Sequence, residues 1–106
     1  MNKARLDSFQ ALADPSRREI LRMLSKEKRS INSIAENFNI SRPAVSKHVK
    51  ILYETGFIEI EEQGRERYCQ LSQEGFKEIQ EWINFFEKYW TKKLKNLETY
   101  LNKKHK

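Results

Sequence analysis

The sequence predicts a mainly helical fold with one small β-hairpin. Three observations lead to it. Apolar residues recur at helical steps of three and four through most of the chain. Asp14, Ser30, Ser41 and Ser72 stand where helix N-caps belong, ahead of four such stretches. The two-residue period of a strand occurs only between residues 57 and 71, on either side of Gly64.

The elements follow in order. Leu6, Phe9, Leu12 and Ala13 place a helix over residues 5–13. Asp14-Pro15 opens a second, because aspartate caps a helix and proline suits its first position; Ile20, Leu21, Met23 and Leu24 carry it to about Ser25. Lys26 to Arg29 is a polar, basic connection. Ser30 caps a third helix, 31–38, with Ile31, Ile34, Ala35 and Phe38 on its buried side, and Asn37, Asn39 and Ser41 crowd the break after it. Ser41 caps a fourth, 42–54, with Pro43 in its first turn and Gly56 where a helix C-terminus favours glycine.

Residues 57–62 then alternate with Ile58 and Ile60 on one face, Gln63-Gly64-Arg65 turns, and residues 67–71 alternate with Cys69 and Leu71 inward and Tyr68 outward. From Ser72 a last helix runs to about Asn102. Its stripe of Phe76, Ile79, Ile83, Phe86, Trp90, Leu94, Leu97 and Leu101 has nearly the spacing of a heptad seam. At 106 residues this is one domain, 1–102, followed by a basic tail, 103–106.

Lys and Arg number 21 against 15 Asp and Glu, a formal net charge of +6. That suits a polyanionic partner without identifying one. No apolar run reaches the ~20 residues of a membrane span, and the N-terminus lacks the apolar stretch of a signal peptide. With Cys69 the only cysteine, no internal disulfide forms, and a cytoplasmic location is the expectation.

The helices 31–38 and 42–54, joined by a tight polar turn, read as a helix-turn-helix. At about 100° per residue, Val45, Val49 and Leu52 define the apolar face of the second helix, and Arg42, Pro43, Ser46, Lys47 and Lys50 fall opposite. A cationic helix face is often only solvated. Here it follows a short capped helix and precedes a hairpin tipped by Arg65 and Arg67, an order that solvation alone does not explain. Small polar and cationic groups at a helix N-terminus reach base edges and phosphates in the major groove, and an arginine-tipped turn reaches the minor groove or flanking phosphates. The expected DNA-binding residues are therefore Ser41, Arg42, Pro43, Ser46, Lys47, Lys50, Arg65 and Arg67. Glu59, Glu61, Glu62 and Glu66 confine the hairpin's contact to its tip.

The runs Ala11 to Leu21 and Ser41 to Leu52 resemble the ArsR (arsenic-repressor-like) winged-helix family, and Gly64-Arg65 with Tyr68 and Leu71 resembles its wing. The likeness covers roughly residues 5–72. It implies a dimeric repressor of a palindromic operator, joined through its first and last helices, with Ser46 and Lys47 at the DNA. On that reading Leu6, Phe9, Trp82, Phe86, Trp90, Leu94, Leu97 and Leu101 form the dimer interface. Many family members sense metals through Cys, His or Asp clusters on the third or last helix. Here residues 30–40 hold no Cys or His, His105 sits in the tail, and neither Cys69 nor His48 has a partner at ligand spacing. The pattern of Trp82, Phe86, Trp90, Leu94, Leu97, Tyr100 and Leu101 resembles a branch without metal sites, so neither metal nor cofactor is expected.

Two rival classes of function fit the sequence less well. A protein-docking winged helix fits the aromatic last helix, but Arg42, Lys47 and Lys50 argue against it. An enzyme finds no Ser/His/Asp or Cys/His set in two histidines and one cysteine, and no phosphate-cradling glycine loop. No residue pattern in the sequence specifies a small-molecule or protein effector.

Overall fold

The computed structural model describes residues 6–104. In chain order they form α1 (Ser8–Leu12), α2 (Pro15–Leu24), β1 (Arg29–Ser30), α3 (Ile31–Glu36), α4 (Arg42–Glu54), β2 (Ile58–Gln63), β3 (Glu66–Leu71) and α5 (Glu74–Lys104).

Local chemistry sets most boundaries. Asp7 and Gln10 form a reciprocal capping box, each side chain accepting the other's backbone N–H at 2.8 Å. The first helix therefore begins at Ser8, not near residue 5, and Leu6 precedes it. The Asp14 carboxylate accepts the N–H groups of Ser16 and Arg17, with Pro15 behind it, as expected. Ser30 and Ser41 cap α3 and α4 through the N–H groups of Ser33 and Ala44. Asn37 leaves helical geometry at φ −96° and ends α3 two residues before the expected Phe38. At the end of α4, Gly56 takes φ +85°; its N–H reaches Tyr53 O at 3.1 Å and the Phe57 N–H reaches Leu52 O at 2.9 Å. This is a Schellman closure, which needs the left-handed conformation glycine adopts freely.

The sheet has three strands where the sequence suggested two. β1 pairs antiparallel with β3, Arg29 opposite Cys69 and Ser30 opposite Tyr68, giving the order β1-β3-β2. The segment expected to be a plain connection thus ends in a strand. In the hairpin, Gln63 pairs with Glu66, so the turn is Gly64-Arg65 alone. Gly64 has φ +63° and Arg65 does not, the sign pattern of a type II′ turn. Cys69 is fully buried as expected, but Leu71, on the last rung opposite Ile58, is exposed. Tyr68 is half-buried beneath the Lys28 ammonium, 5.7 Å from its ring centroid.

One core gathers Ala11, Ile20, Leu24, Ile34, Val45, Val49, Leu52, Phe57, Ile58 and Cys69. Phe76, from the first turn of α5, packs edge-on to Phe57 with centroids 4.8 Å apart. Burial raises the Cys69 thiol to about 11, against a slight opposing pull from Arg67. Iodoacetamide at pH 8 is therefore expected to spare Cys69 in the native protein and label it quickly in denaturant; rapid native labelling would contradict this burial.

α5 departs from the compact body. Its 31 residues span about 46 Å, and the radius of gyration is 19.6 Å where a compact chain of this size has about 13 Å. The helix continues through Lys104, so the expected tail 103–106 begins as helix; His105 and Lys106 lie outside the described residues. No helix among the described residues is long and apolar enough to cross a membrane.

Candidate nucleic-acid interface

α3 and α4 form the two-helix unit. Val45, Val49 and Leu52 fasten α4 to the core, which turns Arg42, Pro43, Lys47 and Lys50 outward and leaves Ser46 half-buried. Lys47 and Lys50 form no ion pair among the described residues, so both charges face solvent. The N-terminus of α4 adds its partial positive charge to the same surface. Two expected contacts already have protein partners. The Ser41 hydroxyl caps α4, and Arg42 Nε donates to Asn32 Oδ1 across the turn, tying α4 to α3.

The hairpin stands beside this face. Arg65 is exposed at its tip. Arg67 lies one rung below, opposite Glu62, and lines a cleft with Ser46, Lys50, Tyr53 and Ile60. The two arginines are therefore split between the tip and the cleft against α4.

Sequence reasoning missed what positions α4 from behind. Arg17 is buried. Its Nε donates to Ala11 O at 2.7 Å, its Nη2 to Gln10 O at 3.2 Å, and its Nη1 lies 3.4 Å from His48 Nδ1 on α4. One guanidinium thus ties the end of α1 to the middle of α4. The signal was present: Arg17, Ile20, Leu21 and Leu24 occupy one helical stripe, so Arg17 shares the buried face. Asp14 lies 3.9 Å from Arg17 Nη1. Burial pushes its carboxyl up, but the N–H groups of Arg17 and Ser16 and the charges of His48 and Arg17 outweigh that and hold it below the usual value.

The expected dimer residues of α5 fall on one face of that helix. Phe9 packs edge-on to Trp82 at 5.5 Å, joining α1 to α5. Trp82, Trp90, Leu94, Leu97 and Leu101 are exposed, Leu94 to 62%, and Phe86 is half-buried. Leu6 and Phe9 are also at the surface. Among the described residues no group of three His, Cys, Asp or Glu side chains is placed to hold a metal ion.

A capped helix pair, a cationic second helix turned outward and an arginine-tipped hairpin beside it define a winged helix-turn-helix regulator that binds DNA. Comparison with known proteins places it further. The family model for bacterial regulatory proteins of the arsR family matches residues 14–59. The chain is 36% identical over 81 residues to the transcriptional repressor SdpR of Bacillus subtilis (strain 168), spanning 76% of this chain and 90% of that protein. The crystal structure of an ArsR family transcriptional regulator matches with a TM-score of 0.72 at 34% identity, covering 79% of this chain and 87% of that one. The homodimeric winged helix-turn-helix domain of a possible ArsR-family regulator from Mycobacterium bovis shares the fold, with a TM-score of 0.62 at 21% identity over 76% and 75% of the two chains. The chain belongs to the ArsR family.

Proposed function

We propose that this regulator is a cytoplasmic homodimeric repressor of a palindromic operator. Two copies join through α1 and α5, on Leu6, Phe9, Trp82, Phe86, Trp90, Leu94, Leu97 and Leu101. Each α4 enters a major groove with Pro43, Ser46, Lys47 and Lys50, while Ser41 and Arg42 hold its first turn against the backbone. Arg65 reaches the flanking minor groove or phosphates, and Arg67 faces the strand that passes between wing and α4. Twofold symmetry sets the two α4 helices one DNA turn apart, about 34 Å.

The observation that carries this reading is the outward face of α4, where Lys47 and Lys50 stand without carboxylate partners among the described residues. Each cation set on a phosphate releases condensed counterions, so affinity falls steeply with salt. The protein is expected to retard DNA from upstream of its own gene in a salt-sensitive manner. Lys47→Ala with Lys50→Ala lowers that affinity about 100-fold or more at low salt and flattens the salt dependence by about four counterions per dimer, two from each α4. An unchanged gel shift from the double variant, with its fold intact by circular dichroism, overturns the placement of α4.

A further inference from the structure

A second concave site lies away from the lysines of α4. Glu19, Arg22 and Met23 of α2, Lys26 beyond it, Arg29 of β1, and Asn37 and Phe38 after α3 enclose about 250 Å³. Three cations line it against one acid, and that acid is already engaged, with Glu19 Oε1 accepting from Arg22 Nη1 at 2.8 Å. Met23 and Phe38 supply an apolar wall.

Arg29 is the unusual member. Its Nη1 donates to Ser33 Oγ at 3.1 Å, and its Nη2 lies 3.6 Å from Glu27 Oε2. Its Nε is the one buried side-chain nitrogen or oxygen among the described residues with no hydrogen-bond partner. A buried donor left unsatisfied is costly, and native proteins keep few of them. Here it belongs to a cation at the wall of a cavity rich in cations.

The pocket also grips both ends of α3. Arg29 precedes Ser30, the N-cap of α3, and holds Ser33 in its first turn. Asn37 follows the last turn and donates from Nδ2 to Ser33 O at 2.8 Å. α3 in turn holds α4 through Asn32 and Arg42. A ligand that draws on Arg29 therefore pulls on the helix against which the DNA-reading helix is set.

We propose that this pocket is an effector site for a small organic carboxylate with an apolar body about one ring in size. The carboxylate pairs with Arg29, Lys26 and Arg22, and the body rests on Met23 and Phe38. The regulatory half of the proposal rests on the DNA-binding reading above; the binding half does not. The test uses benzoate as probe, followed by ¹⁵N NMR on the free protein. Benzoate is expected to shift the Nε–H signal of Arg29 and the amides of residues 22–38 most, with smaller shifts reaching the first turn of α4 through Asn32 and Arg42 and the amide of Arg65 left in place. Arg29→Gln weakens binding about tenfold, the loss of a charge-assisted pair. Lys26→Gln, at an exposed position where folding is not at stake, weakens it about threefold. Lys47→Ala leaves it unchanged.

Shifts spread over every basic residue, equal binding of inorganic phosphate, or full binding by Lys26→Gln and a folded Arg29→Gln overturn the site. Saturating benzoate is expected to change DNA affinity about fivefold or more. Localised binding with no such change overturns the effector role. Failure of the DNA-binding reading shows separately, as a lack of salt-sensitive DNA retardation by the ligand-free protein.

Discussion

Leu94→Glu together with Leu97→Glu is expected to turn the protein into a folded monomer. At about 100° per residue, Trp82, Phe86, Trp90, Ile83, Leu94, Leu97 and Leu101 fall within roughly a third of the α5 circumference. Leu94 and Leu97 lie 62% and 52% exposed, so neither takes part in the core of its own subunit. One subunit leaves this face of the 31-residue helix uncovered, and in the proposed dimer the partner's α5 covers it. Burying a leucine gains about 1.5–3 kcal/mol, and a twofold interface buries each position twice. The double variant therefore weakens the dimer at least about 1,000-fold and adds like-charge repulsion across the axis. Sedimentation equilibrium reads the change in mass.

Operator affinity follows from it. Loss of the tether removes the local concentration of the second α4, which is worth about 100-fold or more on a two-half-site operator and nothing on a single half-site. A variant that remains dimeric shows that the copies meet elsewhere. One that becomes monomeric yet binds the full operator unchanged shows that dimerisation is not how two α4 helices reach DNA.

The sequence was most legible where structure is local. Asp14-Pro15, Ser41 and Gly56 each act on backbone groups within a few residues, and each stands where expected. The outward turn of Lys47 and Lys50 followed from where Val45, Val49 and Leu52 had to go. What escaped depended on distant partners. β1 is two residues long and exists only because Cys69 and Tyr68, nearly forty positions on, offer it a strand. Arg17 sat openly in an apolar stripe, but its acceptors are carbonyls at the end of α1 and a histidine on α4, which no local pattern announces. Leu71 followed the strand period, yet that period says which face a residue takes and not whether another element covers it. The same limit applies to the pocket at Arg29. Its lining comes from three separate segments, one of them the strand the sequence did not show.

Gly75→Ala is expected to be the most disruptive single-methyl change in the described chain. A Cβ at Gly75 would lie 2.8 Å from Thr55 O and 2.8 Å from Phe57 Cγ. The first is a backbone carbonyl at the end of α4, and the second is a fully buried ring held edge-on by Phe76, so neither gives way cheaply. The Gly75 N–H donates to Gly56 O at 2.7 Å, which fixes the first turn of α5 against the Schellman closure of α4. Overpacking of this kind costs about 1–3 kcal/mol, and the rigid neighbours favour the upper end. Tm is expected to fall by about 10 °C or more, measured at fixed protein concentration because a dimer's Tm depends on it.

Gly64→Ala serves as the control. Its Cβ meets nothing within 4 Å, so only the positive φ of the turn is strained and the loss stays near 1 kcal/mol. The junction at Gly75 also sets the direction in which α5 leaves the body, and thereby the distance between the two α4 helices of a dimer. Whatever fraction of Gly75→Ala remains folded and dimeric is therefore expected to bind operator less tightly, and to prefer half-sites at an altered spacing. Unchanged stability would mean that α5 can slide away from Thr55 and Phe57. Unchanged spacing preference in a destabilised protein would mean that the angle of the dimer is set on α5 itself and not at its root.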